Sequence, residues 1–193
     1  AKDAIGNGTI TVGERTAEKG LNFTCTKEDT WTNDAAVTLD RALGGDFTLS
    51  FTYKPESVGT ADGVTRGDFF VDLRNASWKS TILQTGGWFS SLNEGALSFN
   101  EGEAWNTADA HVFGADFDAG EGISVTIRRD LQTENEKSVY TVTYVSVANP
   151  EQTVSYVYED TSADWNTKAY PVFKNRRMKG TWSNIVLSTD GIV

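Results

Sequence analysis

Four of the six tryptophans stand in stretches that carry glycine, asparagine or aspartate: Trp78 after Asn75-Ala-Ser77, Trp88-Phe89 after Gly86-Gly87, Trp105-Asn106 after Glu103-Ala104, and Trp165-Asn166 after Asp164. A ring on a polar loop can stack on the flat C–H face of a pyranose, while neighbouring Asp, Asn, Gln and Arg side chains take its hydroxyls. Loop tryptophans more often plug the end of a core, so one or two exposed rings are expected among the four. Trp88 and Trp105 are the expected platforms, with Asp72, Arg74, Gln84 and Asn106 as their polar partners. Trp31 and Trp182 are expected in the core. Arg74 offers a planar fork suited to a sugar carboxylate, but an ordinary salt bridge with Asp72 explains that pair more simply. A neutral glycan is therefore the expected ligand.

Bond-cleaving chemistry is harder to place. A retaining glycosidase needs two carboxyl groups about 5–5.5 Å apart, which alternate residues of a strand deliver. Glu101-Gly-Glu103 has that spacing without flanking apolar alternation, and Asp72 has no carboxylate two positions away. His111 is the one histidine and Cys25 the one cysteine, which leaves no paired-His site, no internal disulfide and no C-x-x-C motif. Cys25 alternates with Leu21 and Phe23 and reads as a small buried hydrophobe. The segment Gly114-Ala-Asp-Phe-Asp-Ala-Gly-Glu121 sets Asp116 and Asp118 close together, with Asp109 and Glu121 near. Hard oxygen ligands of this kind suit a structural Ca²⁺, without the spacing of an EF-hand, and an acidic solvated turn is the alternative.

A net charge of −10 argues against a nucleic-acid partner. The single basic knot, Lys174, Arg176, Arg177 and Lys179 with Lys168 nearby, reads as a solvated edge or hairpin tip. No apolar run approaches the roughly 20 residues of a membrane helix. Ala1-Lys-Asp-Ala opens no signal peptide, and the chain reads as a domain trimmed from a larger secreted or cell-surface bacterial protein.

The elements that must hold these groups are strands. Asp46-Phe-Thr-Leu-Ser-Phe-Thr-Tyr53 alternates apolar with hydroxyl residues, the period of a half-buried strand. The pattern recurs at residues 68–74, 96–100, 123–127 and 181–188, and residues 138–147 and 153–159 read as a hairpin around Ala148-Asn-Pro-Glu-Gln152. Strand ends are expected at Lys54-Pro55, Gly86-Gly87 and Arg128-Arg129-Asp130, and at most one helical turn near Asp164–Asn166. Ten to thirteen strands follow, in a single domain over residues 1–193 with residues 1–20 an extension or edge strand. At this length roughly 70% of the unfolded surface can be buried without disulfide or metal.

Three stretches resemble the concanavalin A-like lectin and glucanase superfamily, which includes laminin-G-like modules and jelly-roll carbohydrate-binding modules. They are Ala35–Lys54, Ile123–Asp130 followed by Tyr140–Tyr144, and the closing Gly180–Leu187. The resemblance implies an all-β, two-sheet antiparallel sandwich with sugar held on a concave face or in rim loops, and often a structural Ca²⁺. The expected function is a non-catalytic carbohydrate-binding module for polysaccharide or host glycan. Its alternatives are a spacer or adhesin module with a protein ligand or none, and a glycan-cleaving enzyme using Glu101 or Glu103 with Asp72.

Overall fold

Alternation dictates the architecture: each strand buries its apolar side and turns the other outward. A computed structural model describes residues 2–5, 9–12, 21–27, 35–38, 42–61, 63–75, 81–92, 94–102, 110–113 and 117–189. The first antiparallel sheet runs β1 (Lys2–Ile5), β4 (Ala35–Thr38), β15 (Tyr170–Arg176), β8 (Gly67–Arg74), β9 (Thr81–Ser91), β10 (Glu94–Glu101) and β11 (Ala110–Phe113). The second runs β14 (Thr153–Asp160), β13 (Lys137–Ser146), β12 (Ile123–Gln132), β5 (Phe47–Val58), β16 (Met178–Thr189), β3 (Leu21–Lys27) and β2 (Thr9–Val12). A small hairpin, β6 (Thr60–Ala61) and β7 (Val64–Thr65), hangs between β5 and β8. The chain changes sheet at β1 to β2, β3 to β4, β4 to β5, β5 to β8 by way of the small hairpin, β11 to β12, β14 to β15 and β15 to β16. These crossings build the all-β, two-sheet antiparallel sandwich that the resemblance implies, and the two outermost N-terminal strands lie one on each sheet.

Between the sheets lies one apolar layer. Phe47, Leu49, Phe51 and Tyr53 of β5 and Ile123, Val125 and Ile127 of β12 meet Phe69, Val71 and Leu73 of β8 and Leu97 and Phe99 of β10. Burying each large side chain contributes about 1.5–3 kcal/mol. Trp182 is fully buried, with Phe51, Tyr53, Phe69 and Phe173 around it at ring separations of 4.6–5.8 Å. Its indole N–H donates to Asn175 Oδ1, and Asn175 Nδ2 donates to the Tyr53 hydroxyl, both at 2.8 Å, so the buried polar atoms are matched. A Cβ at Gly180 would lie 2.1 Å from the Tyr53 hydroxyl oxygen, which reserves that position for glycine.

Several strands run past their expected ends. β5 continues through Pro55 because the register slips beside it, Lys179 facing Ser57 and Gly180 facing Pro55, and a proline without an N–H is tolerated at such a bulge. β9 continues through Gly86-Gly87, where a Cβ would sit 2.0 Å from the Phe69 carbonyl oxygen or 2.9 Å from that of Ala96. These glycines mark close strand approach, not a turn. β12 extends to Gln132 and buries Arg129 completely. That guanidinium donates to the carbonyls of Gly45 and Thr167, each at 2.7 Å, and stacks on Phe47 at 4.9 Å. The one helical turn among the described residues is a 3₁₀ turn at Thr133–Asn135, while residues 163–166 form hydrogen-bonded turns.

The basic knot is also not a solvated tip. Arg177 sits fully buried at the β15–β16 turn with φ 52°, donating to the Val64 carbonyl. Lys179 pairs with Glu56 at 2.8 Å, and Lys174 and Arg176 lie on the outer face of β15.

Candidate functional site on the outer face of the first sheet

With Phe69, Val71 and Leu73 inside, the alternation of β8 must turn Asp68, Phe70, Asp72 and Arg74 outward. Register then fixes their neighbours. Across the sheet, one row reads Val172, Asp72, Gln84 and Asn100; the next Lys174, Phe70, Gly86 and Ser98; the third Arg176, Asp68, Trp88 and Ala96. Three consecutive strands and the distant β15 thus present a lattice of polar, charged and aromatic side chains.

Asp72 is its hub. Lys174 Nζ lies 2.6 Å from Oδ2, Gln84 Nε2 donates to Oδ1 at 2.6 Å, and Arg74 Nη2 reaches Oδ2 at 3.4 Å. Gln84 passes the network on, its Oε1 accepting from Asn100 Nδ2 at 3.3 Å. Asp68 is a second hub. Arg176 donates to its Oδ2 through Nε and Nη2 at 2.9 and 2.7 Å, and Arg66 Nε donates to its Oδ1 at 3.1 Å. Arg66 also lies 5.3 Å over the Trp88 ring, and Arg176 6.0 Å from Phe70. Buried carboxylates persist only when paired and hydrogen-bonded, and both are.

Burial sorts the lattice into floor and rim. Asp68, Asp72 and Gln84 are at most 1% exposed, whereas the Arg74 and Arg66 side chains are 32% and 39% exposed. Trp88 and Asn100 are half-buried. The hubs therefore hold Arg66, Arg74 and, through Gln84, Asn100, and these outer groups are what the face presents to solvent.

Of the residues expected to bind, Asp72, Arg74 and Gln84 come together here, and Trp88 shares their face from within a strand, two rows away opposite Asp68 and beneath the Arg66 guanidinium. Trp105, Asn106 and Asp116 lie outside the described residues. Asp118 Oδ1 accepts the Gly120 amide at 3.0 Å, and Glu121 pairs with Lys54 at 3.5 Å. Among the described residues no group of three or more His, Cys, Asp or Glu gathers for a metal. Glu101 shares the inward side of β10 with Leu97 and Phe99 and accepts from the Tyr156 hydroxyl of the other sheet at 3.2 Å, so it does not meet Asp72 across the sheet. Asp68 and Asp72 share a face but are four residues apart, about 13 Å along a strand.

A second recess of about 200 Å³ opens at one end of the sandwich between Asn75, Gly102, Tyr158, Asp160, Ser162 and Asp164. Asp160 is largely turned to its own loop, its Oδ1 accepting the Ser162 amide at 2.9 Å. Burial pushes the Tyr158 phenol up to about 12, with Asp160 and Glu101 adding to the shift.

No family model and no curated protein matches the chain. Among solved structures, a Bacillus licheniformis β-glucanase aligns over 98% of this chain and 91% of its own, at 12% identity and a TM-score of 0.49. The CBM2 module of the evolved Dit of Lactobacillus casei BL23 phage J-1 aligns over 92% and 83%, at 11% and 0.49. Scytalido-glutamic peptidase aligns over 75% and 65%, at 19% and 0.46, so the chain spans less than two-thirds of that peptidase. A glucanase, a binding module and a peptidase do not agree on an activity. The fold rests on the strand registers, and function has to be argued from the lattice itself.

Sequence reasoning missed Asp68, Phe70, Asn100, Lys174 and Arg176. The parity of Lys174 and Arg176 against buried Phe173 was a usable signal.

Proposed function

We propose that this chain is a non-catalytic carbohydrate-binding module that grips glycan on the outer face of the first sheet. The observation that supports it is the lattice itself: half-buried Asn100 and the Arg74 fork, held in place by the buried Asp72–Gln84 pair, with half-buried Trp88 on the same face under the Arg66 guanidinium. An aromatic ring with amide and guanidinium donors on one face is the equipment a hydroxylated ligand needs, and groups fixed beforehand lose little freedom on binding. The buried carboxylates are ion-paired and about 13 Å apart, beyond the 5–9.5 Å range of glycosidase pairs. That favours binding over cleavage.

The proposal extends to attachment to a larger secreted or cell-surface bacterial protein, and to a structural Ca²⁺ near Asp116 and Asp118, checked by whether EDTA lowers the melting temperature. Affinity gels and calorimetry over a glycan panel test the binding itself. Trp88→Ala is expected to weaken binding about tenfold, and Trp105→Ala comparably. Unchanged affinity in both variants would place the ligand elsewhere. A spacer or adhesin module is the second reading, drawing on the isolated exposed valines Val64, Val147, Val157 and Val186; wild-type protein retained by no glycan would favour it.

A further inference from the structure

We propose that the ligand of this face is an anionic glycan, carrying uronate carboxylates or sulfate esters, and that Arg74 receives the charged group. The inference rests on the carbohydrate-binding reading above and names its ligand class.

Among the described residues the lattice holds four cations, Arg66, Arg74, Lys174 and Arg176, against two carboxylates, in a chain whose net charge is −10. The two signs are also layered. Both Asp side chains are at most 2% exposed, while those of Arg74 and Arg66 are about a third or more exposed. An approaching ligand therefore meets positive charge with the compensating negative charge buried beneath it. Arg66 and Arg176 are tied to Asp68 and stacked on Trp88 and Phe70, so they contribute mainly field.

Arg74 is held more loosely. Its one contact to Asp72 is 3.4 Å long, to an oxygen that Lys174 already holds at 2.6 Å, and its Nε is buried without an acceptor. A guanidinium carries five donors in a rigid plane, and a carboxylate or sulfate offers two coplanar acceptors to match. A neutral hydroxyl supplies one acceptor and no compensating charge. Asp72, braced by Gln84 and Lys174, keeps the fork oriented before ligand arrives.

The test uses the full chain and matched glycan pairs in calorimetry and affinity gels: polygalacturonate against its methyl ester, and dextran sulfate against dextran, alongside neutral xylan, mannan and β-glucan. The first pair reads uronate recognition and the second sulfate recognition. At least one acidic member is expected to bind about tenfold or more tightly than its uncharged counterpart. Arg74→Gln should weaken that binding about tenfold with an unchanged near-ultraviolet circular dichroism spectrum, and Arg74→Lys should recover part of it. Arg128→Gln, an exposed cation on the other sheet, should change nothing. Preference for neutral glycans, full affinity in Arg74→Gln, or equal losses in Arg128→Gln and Arg74→Gln would overturn the inference while leaving a glycan ligand standing. Retention by no glycan of either kind would overturn the carbohydrate-binding reading as well.

Discussion

The two sheets share a core but turn different chemistry outward. The outer face of the first carries ion pairs on a floor withdrawn from water, with Asp68 and Asp72 at 0% and 1% exposure. The outer face of the second is a carpet of hydroxyls: Thr48, Ser50 and Thr52 on β5, Ser124 and Thr126 on β12, Thr141 and Thr143 on β13, and Ser155 on β14. Those residues are exposed or half-buried and need little from one another, the Thr143–Ser155 hydroxyl contact at 2.9 Å being one link. A hydroxyl face is satisfied by water wherever it stands. A carboxylate removed from water is stable only if its cations are built around it, so the first face has to be specific where the second need only be polar.

The sharpest way to break that contrast is Asp72→Ala, which leaves Lys174, Arg74 and Gln84 around a lost acceptor. It should cost about 3 kcal/mol in urea unfolding; a loss within the noise of the measurement would mean the face is wetter than drawn. Gly180→Ala forces a methyl against the Tyr53 hydroxyl in the core both faces share and should cost about 1–3 kcal/mol. A smaller effect concerns the rim of the end recess. Because burial raises the Tyr158 phenol to about 12, the native state keeps its proton while an unfolded tyrosine releases it near pH 10. Stability from this group is full below pH 10 and falls as pH rises through about 12, and Tyr158→Phe should flatten part of that alkaline loss in melts from pH 9 upward. At the bottom of the scale, Thr126→Ala on the hydroxyl face should change stability by about 0.5 kcal/mol or less, against the several-fold larger effect of Asp72→Ala on the other sheet.

The fold was legible where period alone decides. Phe47 to Tyr53, Phe69 to Leu73 and the β13–β14 hairpin are alternations that no helix would write. Strand ends were not, because proline, paired glycines and paired arginines read as punctuation while tertiary contacts had other uses for them. Pro55 is carried past by a bulge, Gly86 and Gly87 allow close strand approach, and Arg129 is swallowed to tie down two loop carbonyls. The site divides the same way. Asp72, Arg74 and Gln84 are near neighbours in sequence and could be grouped from it. Lys174 sits opposite Phe70 only through a register between strands about a hundred residues apart, and that register decides whether its charge faces water or Asp72.

Backbone amide shifts of the labelled chain, followed as the tightest-binding glycan of the panel is added, test most directly which face holds the ligand. The largest changes should fall on residues 68–74, 84–88 and 172–176, with the amides of 124–128 and 141–145 nearly still. Movement concentrated on those last two segments, with the charged lattice undisturbed, would contradict the assignment of the binding face.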